Sequence, residues 1–454
     1  MFSIPGIVGL IVSLYARPAD MFPSLAAYKL LHVSLLLSII GMLVDLRLRL
    51  IRFVWNPLCT HVVIFYVWCG ITGLAAHGPA EMFRVLALLM PTTVAFFLLS
   101  WGVDSFAGLN RFLVVVFTCS AFVAAVCTHQ AVQPLTCCAV IDERTYIPDG
   151  RSCQFPKECR VDPTFPDAEY SCERPGLLGT TSVAQGRVRF KGKLEDPNEC
   201  ALCIGAGLPF LVAWTDRKKT AGRYGLAAAL AALGIYAIVQ TQSRGGIFVV
   251  LAVVACTAVR DLNFKRLFYA LPMGLPMLFL GGRSGEEAES SSLERLECWA
   301  TGCDLFRQRP IFGVGQGQFT EHHFLTAHNA YVLAAAELGL FGAVCWLSIV
   351  YMSIKIPATA FLKYRLVPEA QEGARTAFAI GTMVVGFAVG IFFLSFAYHY
   401  VLWIHFGLAG GLYNVIRRHD PTFTVKFTKT EAAILTAVYV ITLKVIEVYA
   451  KSKI

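Results

Sequence analysis

The chain has 454 residues, of which 56% are hydrophobic and only 15% charged. Soluble domains carry about 25% charged residues, so this composition excludes a disordered chain, a collagen, a nucleic-acid-binding tail protein and an ordinary soluble enzyme. A bilayer crossing takes roughly 20 apolar residues, which leaves room for about a dozen crossings. The net charge of +9 sits in short clusters between apolar runs and reads as membrane topology, not as affinity for nucleic acid.

In chain order, apolar runs cover 2–16, 27–46, 57–76, 82–100, 110–128, 198–214, 223–241, 245–260, 265–281, 328–354, 376–396, 398–416 and 430–449. The first lacks a basic start and is interrupted by Pro5 and Gly6, which predicts a short helix and no cleavable signal. The last contains Lys444 and Glu447 and reads either as a crossing or as an interfacial helix. The expected fold is an all-α polytopic integral membrane protein with about 12–13 transmembrane helices. It forms one membrane domain over 1–454, with two long loops at 129–197 and 282–327.

Basic residues orient the runs. Arg47, Arg49 and Arg52, then Arg217, Lys218, Lys219 and Arg223, then Arg260, Lys265 and Arg266 follow alternate runs. So do Lys355, Lys363, Arg365 and Arg375, and finally Arg417 and Arg418. All fall on one side if the N-terminus is cytoplasmic, and both long loops then lie outside. Their Pro, Gly and charge bar them from hydrocarbon as irregular backbone.

Among 15 cysteines, Cys137, Cys138, Cys153, Cys159 and Cys172 fall in the first loop, and Cys298 and Cys303 in the second. An outside compartment favours disulfides. Only Cys200 and Cys203 have a two-residue gap, with no second pair at zinc-finger spacing. Disulfides are therefore favoured over metal in the first loop. Their pairing is open, and an odd count leaves a cysteine over.

Polar constellations gather at the outside face. Thr241-Gln242-Ser243-Arg244-Gly245-Gly246 sits between two runs with almost no loop. The glycines there permit a tight turn and leave N–H groups accessible at a helix start. Arg244 suits a phosphate through its planar fork; taken alone it equally reads as a snorkelling arginine. Ser292 to Trp299 has helical spacing, with Leu293, Leu296 and Trp299 on one side, and includes Arg295. The following Arg309-Pro310-Ile311-Phe312-Gly313-Val314-Gly315-Gln316-Gly317 is Gly-rich. Outside a βαβ setting it is weak evidence for a phosphate cradle. His328-Asn329 opens the tenth run, and Gly339 and Gly342 follow. A histidine there can serve as base or donor, or be an interfacial side chain without chemistry. The two glycines would let a neighbouring helix approach. His322 and His323 are adjacent and do not face one metal from a helix. Upstream, Arg187, Arg189, Lys191 and Lys193 precede Asp196-Pro197-Asn198. The basic residues read as a solvated face or as a hold on an anionic head group. Asp196 and Pro197 read as the cap and first turn of a helix.

This ordered set resembles the O-antigen ligase family, which shares its core with O-antigen polymerases and bacterial O-oligosaccharyltransferases. The family's His-Asn/Ser/Gln, nine residues, Gly-x-x-Gly/Thr/Tyr pattern is matched by His328-Asn329 and Gly339-Leu340-Phe341-Gly342. The Ser243-Arg244-Gly245-Gly246, Arg309 to Phe319 and Asp196-Pro197-Asn198 stretches also stand in the family's order. The resemblance covers 186–345, a ligase-like catalytic core. Arg17-Pro18 and Phe22-Pro23 resemble a bacterial subgroup associated with exopolysaccharide and exosortase systems.

The resemblance implies glycan transfer from a polyprenyl (undecaprenyl) diphosphate at the periplasmic side of the bacterial inner membrane. Lipid A-core is the common acceptor. The family's essential groups carry over to the catalytic candidates Arg244, Arg295 and His328. Where the family often shows Arg, three residues and Leu, this chain has Trp299 after Arg295, which keeps Arg283 and Arg309 in reserve. Arg187, Arg189, Lys191, Asn198, Gln242, Asn329 and Arg309 are the candidate substrate-binding residues. No metal and no cofactor are expected, since no Asp-x-Asp motif stands out. A polymerase or protein O-oligosaccharyltransferase would share the donor and differ in acceptor. A polysaccharide or lipid transporter would need midplane charges and repeat symmetry, which the runs do not show.

Overall fold

The computed structural model describes residues 1–142, 145–159, 168–183, 186–191, 194–261 and 286–454. The expected run at 265–281, with Lys265 and Arg266, and also Lys193 and Arg283, lie outside the described residues. The helices are α1 (Ser3–Tyr15), the short turns α2 (Pro18–Met21) and α3 (Pro23–Ala26), α4 (Leu30–Arg47), α5 (Pro57–His77), α6 (Pro79–Trp101) and α7 (Phe106–Val132). Strands β1 (Thr136–Asp142), β2 (Thr145–Ser152) and β3 (Glu169–Glu173) follow. Then come α8 (Pro197–Gly207), α9 (Pro209–Arg217), α10 (Ala221–Gln240), α11 (Arg244–Ala258), α12 (Glu286–Gln308), α13 (Ala330–Tyr364), α14 (Gln371–Gly390), α15 (Tyr400–His419) and α16 (Lys429–Lys451).

The chain is an all-α multi-pass membrane protein. Among the described residues, nine helical stretches are long and apolar enough to cross a membrane, α16 included. The expectation of 12–13 also counted two runs that form shorter helices, the run at 265–281 that lies outside the described residues, and the run at 398–416, whose helix α15 is not among the nine. α1 has 13 residues and α11 has 15, below the roughly 20 that a crossing takes. The run at 198–214 is one of the nine, although Pro209, with no N–H to continue α8, divides it into α8 and α9.

The chain divides into two compact units, each assembled from segments distant in sequence. One comprises Met1–Ile7, Leu35–Phe112 and Ser284–Ile454. Its centre is α15, buried continuously from Val401 to Ile416, as expected of a helix that is apolar all round. Glycine lets it approach α6: a Cβ on Gly407 would stand 2.7 Å from Leu99 Cβ. Asn56 Nδ2 donates to Ser100 Oγ at 2.7 Å and Asn414 Nδ2 to Ser100 O at 2.8 Å, so both buried NH2 groups find an acceptor.

The other unit comprises Val8–Ser34 and Leu113–Arg283. Here α8 packs on α11 through glycine, since a Cβ on Gly246 would lie 2.4 Å from that of Ala201. Its loop carries an antiparallel sheet in the order β2-β1-β3. Disulfides Cys137–Cys159 and Cys153–Cys172 tie the sheet to its flanks. Cys138 is the cysteine left over, a buried thiol that burial pushes up to about 11. Cys298 and Cys303 carry free thiols; five residues apart on α12, they point in different directions.

Candidate functional site

In the second unit the basic segment lies against the helix start that carries Arg244. Val188 N–H donates to Gln240 O at 3.3 Å and Arg187 Nε to Thr241 O at 3.0 Å. Arg187 is buried. Ser243 caps α11 by accepting the Gly246 N–H at 3.1 Å. The sharp turn is made by Gln242, whose φ of 52 is left-handed. This corrects the expectation for the glycines. Gly245 and Gly246 are buried and helical, and the Gly246 N–H is already bonded. Arg244 occupies the first position of α11 and is exposed. A cation there opposes the helix dipole.

The remaining candidates of this unit each have partners of their own. Arg189 Nε donates to Thr181 O at 3.0 Å, and its guanidinium pairs with Glu173 at 3.5 Å. Burial pushes the Glu173 carboxyl up from its ordinary range. Lys191 Nζ lies over Gly179, 3.2 Å from where a Cβ would be. Asp196 caps α8 as expected, and the Asn198 backbone and side-chain N–H groups both donate to its Oδ1, at 2.6 and 2.7 Å.

In the first unit, Arg295 is half-buried on α12. One turn later Cys298 Sγ lies 3.7 Å from His323 Nδ1. The buried face of α12 begins there; Leu293, expected on it, is exposed. A Cβ on Gly302 would meet Val332 at 2.4 Å, so α12 packs on the first turn of α13. His328 stands at that turn with φ 48. Asn329 follows as the cap of α13, its Oδ1 accepting the N–H of Tyr331 at 2.9 Å and of Val332 at 3.1 Å. Arg309 is exposed just past the end of α12.

Two helix starts are thus built alike: a left-handed Gln242 or His328, then a capping Ser243 or Asn329. A left-handed conformation costs a non-glycine residue on the order of 1–2 kcal/mol. Glycine would avoid that cost at both positions, so the retained side chains point to a use.

The Gly-rich segment does not offer its backbone to a phosphate. Gly339, at φ 65 and ψ −173, breaks α13 and strips the carbonyls before it of their partners four residues on. Val314 N–H takes Ala336 O at 2.9 Å and Gly315 N–H takes Glu337 O at 3.0 Å. Trp68 Nε1–H takes Leu338 O at 2.9 Å. In return Leu340 N–H donates to Pro310 O at 2.8 Å. Only glycine fits at 339, where a Cβ would lie 2.1 Å from Ile311 O. Gly342 serves Trp68, whose indole a Cβ would meet at 2.5 Å. Sequence reasoning passed over Glu337, buried beneath this segment. The available signal was one acidic side chain inside an apolar run.

The family model described as O-antigen ligase matches residues 220–347. No curated protein matches the chain. The matched span contains Gln242, Arg244, Arg295, Arg309, His328 and Asn329. Over residues 220–347 this match supports the O-antigen ligase family, of the ligase and polymerase type, for this membrane protein.

Proposed function

We propose that the protein is a periplasmic glycosyltransferase of the bacterial inner membrane. It moves a glycan from undecaprenyl diphosphate to an acceptor hydroxyl, with lipid A-core as the acceptor. The observation that carries this reading is the O-antigen ligase match, which brackets Arg244, Arg295 and His328.

The acceptor oxygen attacks the anomeric carbon of the donor sugar, and the bond from that carbon to the phosphate oxygen breaks. Its electron pair leaves with the polyprenyl diphosphate, and the acceptor proton passes to the His328 imidazole. A single displacement inverts the anomeric configuration. Arg244 and Arg295 supply positive charge where the leaving diphosphate gains negative charge, in place of a divalent metal. Arg309, Arg187, Arg189, Lys191, Gln242, Asn198 and Asn329 line or support the substrate's path, and the polyprenyl chain lies along apolar helices. The substrate is itself half lipid, which suits an enzyme with so little charge.

Purified full-length protein, a polyprenyl-diphosphate glycan and lipid A-core form the test. Core capping in EDTA is expected, and His328→Ala and Arg244→Ala should each lower turnover by about 10²-fold or more. Chain growth on the donor without core capping would make it a polymerase, and capping of a protein a protein glycosyltransferase. Glycolipid uptake without covalent product would make it a transporter. Loss in EDTA that magnesium restores rules out the metal-free step, and normal turnover of both variants rules out the site.

A further inference from the structure

The segment Gly313 to Phe319 has the shape of an anion nest. Gly313, Gly315 and Gly317 take φ of 67, 103 and 79, and alternating left-handed turns gather N–H groups into a concavity that suits negative charge. The carboxyl that occupies it comes from the chain itself. Glu337 is 2% exposed, and its Oε1 accepts the Phe319 N–H at 3.3 Å. The Gly317 backbone and the Tyr398 side chain also lie toward this carboxyl. Its own backbone carbonyl holds Gly315, so residue 337 grips the nest from main chain and side chain together. The neighbouring Gln318 is fixed separately, its Nε2 donating to Glu81 Oε1 at 2.8 Å. Beyond Phe319 the chain runs nine residues to His328.

We propose that Glu337 is a positioning residue. Seated in the 313–319 nest, its carboxyl sets the course of the segment that delivers His328. The proposal rests on the transferase reading above. A carboxylate fits because it offers acceptors alone. Every partner so far named for it is a donor, and an amide in its place would set an NH2 group against N–H groups.

The test compares the full-length wild type with Glu337→Gln and Glu337→Asp in detergent or nanodiscs. It uses hydrogen exchange of the peptide 313–323 together with transfer kinetics. For Glu337→Gln, exchange in that peptide should quicken at least tenfold while peptides from α14 and α15 keep their protection. Its kcat should fall at least tenfold with the KM for donor within twofold, and Glu337→Asp should recover part of both. Wild-type exchange and kcat in Glu337→Gln overturn the proposal. So does a loss of protection throughout the chain in both variants, which would make Glu337 a general core residue. If the wild type transfers no glycan, the transferase reading fails by itself, and the exchange result still decides whether Glu337 holds the nest.

Discussion

At the residue scale, two helix starts of similar construction have opposite bearings on stability. Asn329 gives α13 a cap, satisfying two N–H groups that would otherwise be orphaned. Arg244 sits at the first position of α11, exposed and against the dipole. Asn329→Ala should therefore cost about 1–2 kcal/mol, read as a lower melting temperature. Arg244→Ala relieves an unfavourable dipole contact and should lower melting less than Asn329→Ala does, while transfer collapses. A drop in melting for Arg244→Ala as large as that for Asn329→Ala would reassign Arg244 to structure. Some of this was legible in sequence: Asp196-Pro197 announces the α8 start because cap and proline chemistry is local. Gly342 does admit a neighbouring helix, through Trp68 of α5, but Gly246 and Gly339 were read for the wrong partners. Gly246 meets Ala201 and Gly339 meets Ile311, contacts made across tens of residues that no local pattern encodes. The left-handed turns at Gln242 and His328 were hidden too, since only a few per cent of non-glycine residues adopt that conformation.

At the scale of elements, the loop sheet is where the all-α expectation needed an addition. Its strands are short, and five cysteines in the sequence signalled a stapled loop without giving its pairing. Glu173, at the end of β3, is the sheet's buried acid, faced by Arg189, Thr181 and Ser171. Burial is the leading influence and raises its folded pKa despite these partners. A raised carboxyl binds its proton more tightly folded than unfolded. Its contribution to stability is therefore fully present below the ordinary value of about 4.3 and is lost as pH rises through the folded value. Protection of the β3 peptide in hydrogen exchange should fall as pH rises through that window, after correction for the intrinsic exchange rate. Glu173→Gln should flatten the trend. Protection that instead grows with pH would mean that the Arg189 pair outweighs burial.

At the scale of the whole molecule, hydropathy carried the fold class because membrane crossing is a property of runs, readable without tertiary knowledge. It could not separate a crossing from an interfacial helix at 430–449. The contacts of α16 bear on that choice. Its first turn is closed by a capping box at Thr428 and Glu431, and Glu431 pairs with Lys355 and Tyr351 in the later half of α13. Further on, the Tyr439 hydroxyl donates to Tyr331 O near the start of α13. At its far end Glu447 pairs with Arg307 at 2.6 Å and Lys451 with Asp304 at 2.7 Å, both on α12. So α16 runs back along α13, from the region that the basic clusters assign to the cytoplasm toward the loop that they assign to the outside. Lys444, which looked like a charge stranded in an apolar run, pairs with Glu447 at 2.8 Å near that far end. A crossing helix places its two ends in different compartments, and an interfacial one keeps both in the same compartment. In spheroplasts, a cysteine replacing Ser452 should react with a membrane-impermeant maleimide, and one replacing Thr428 only after the membrane is opened. Equal labelling of both from outside would make α16 an interfacial helix and detach it from the topology that places His328 on the outer face.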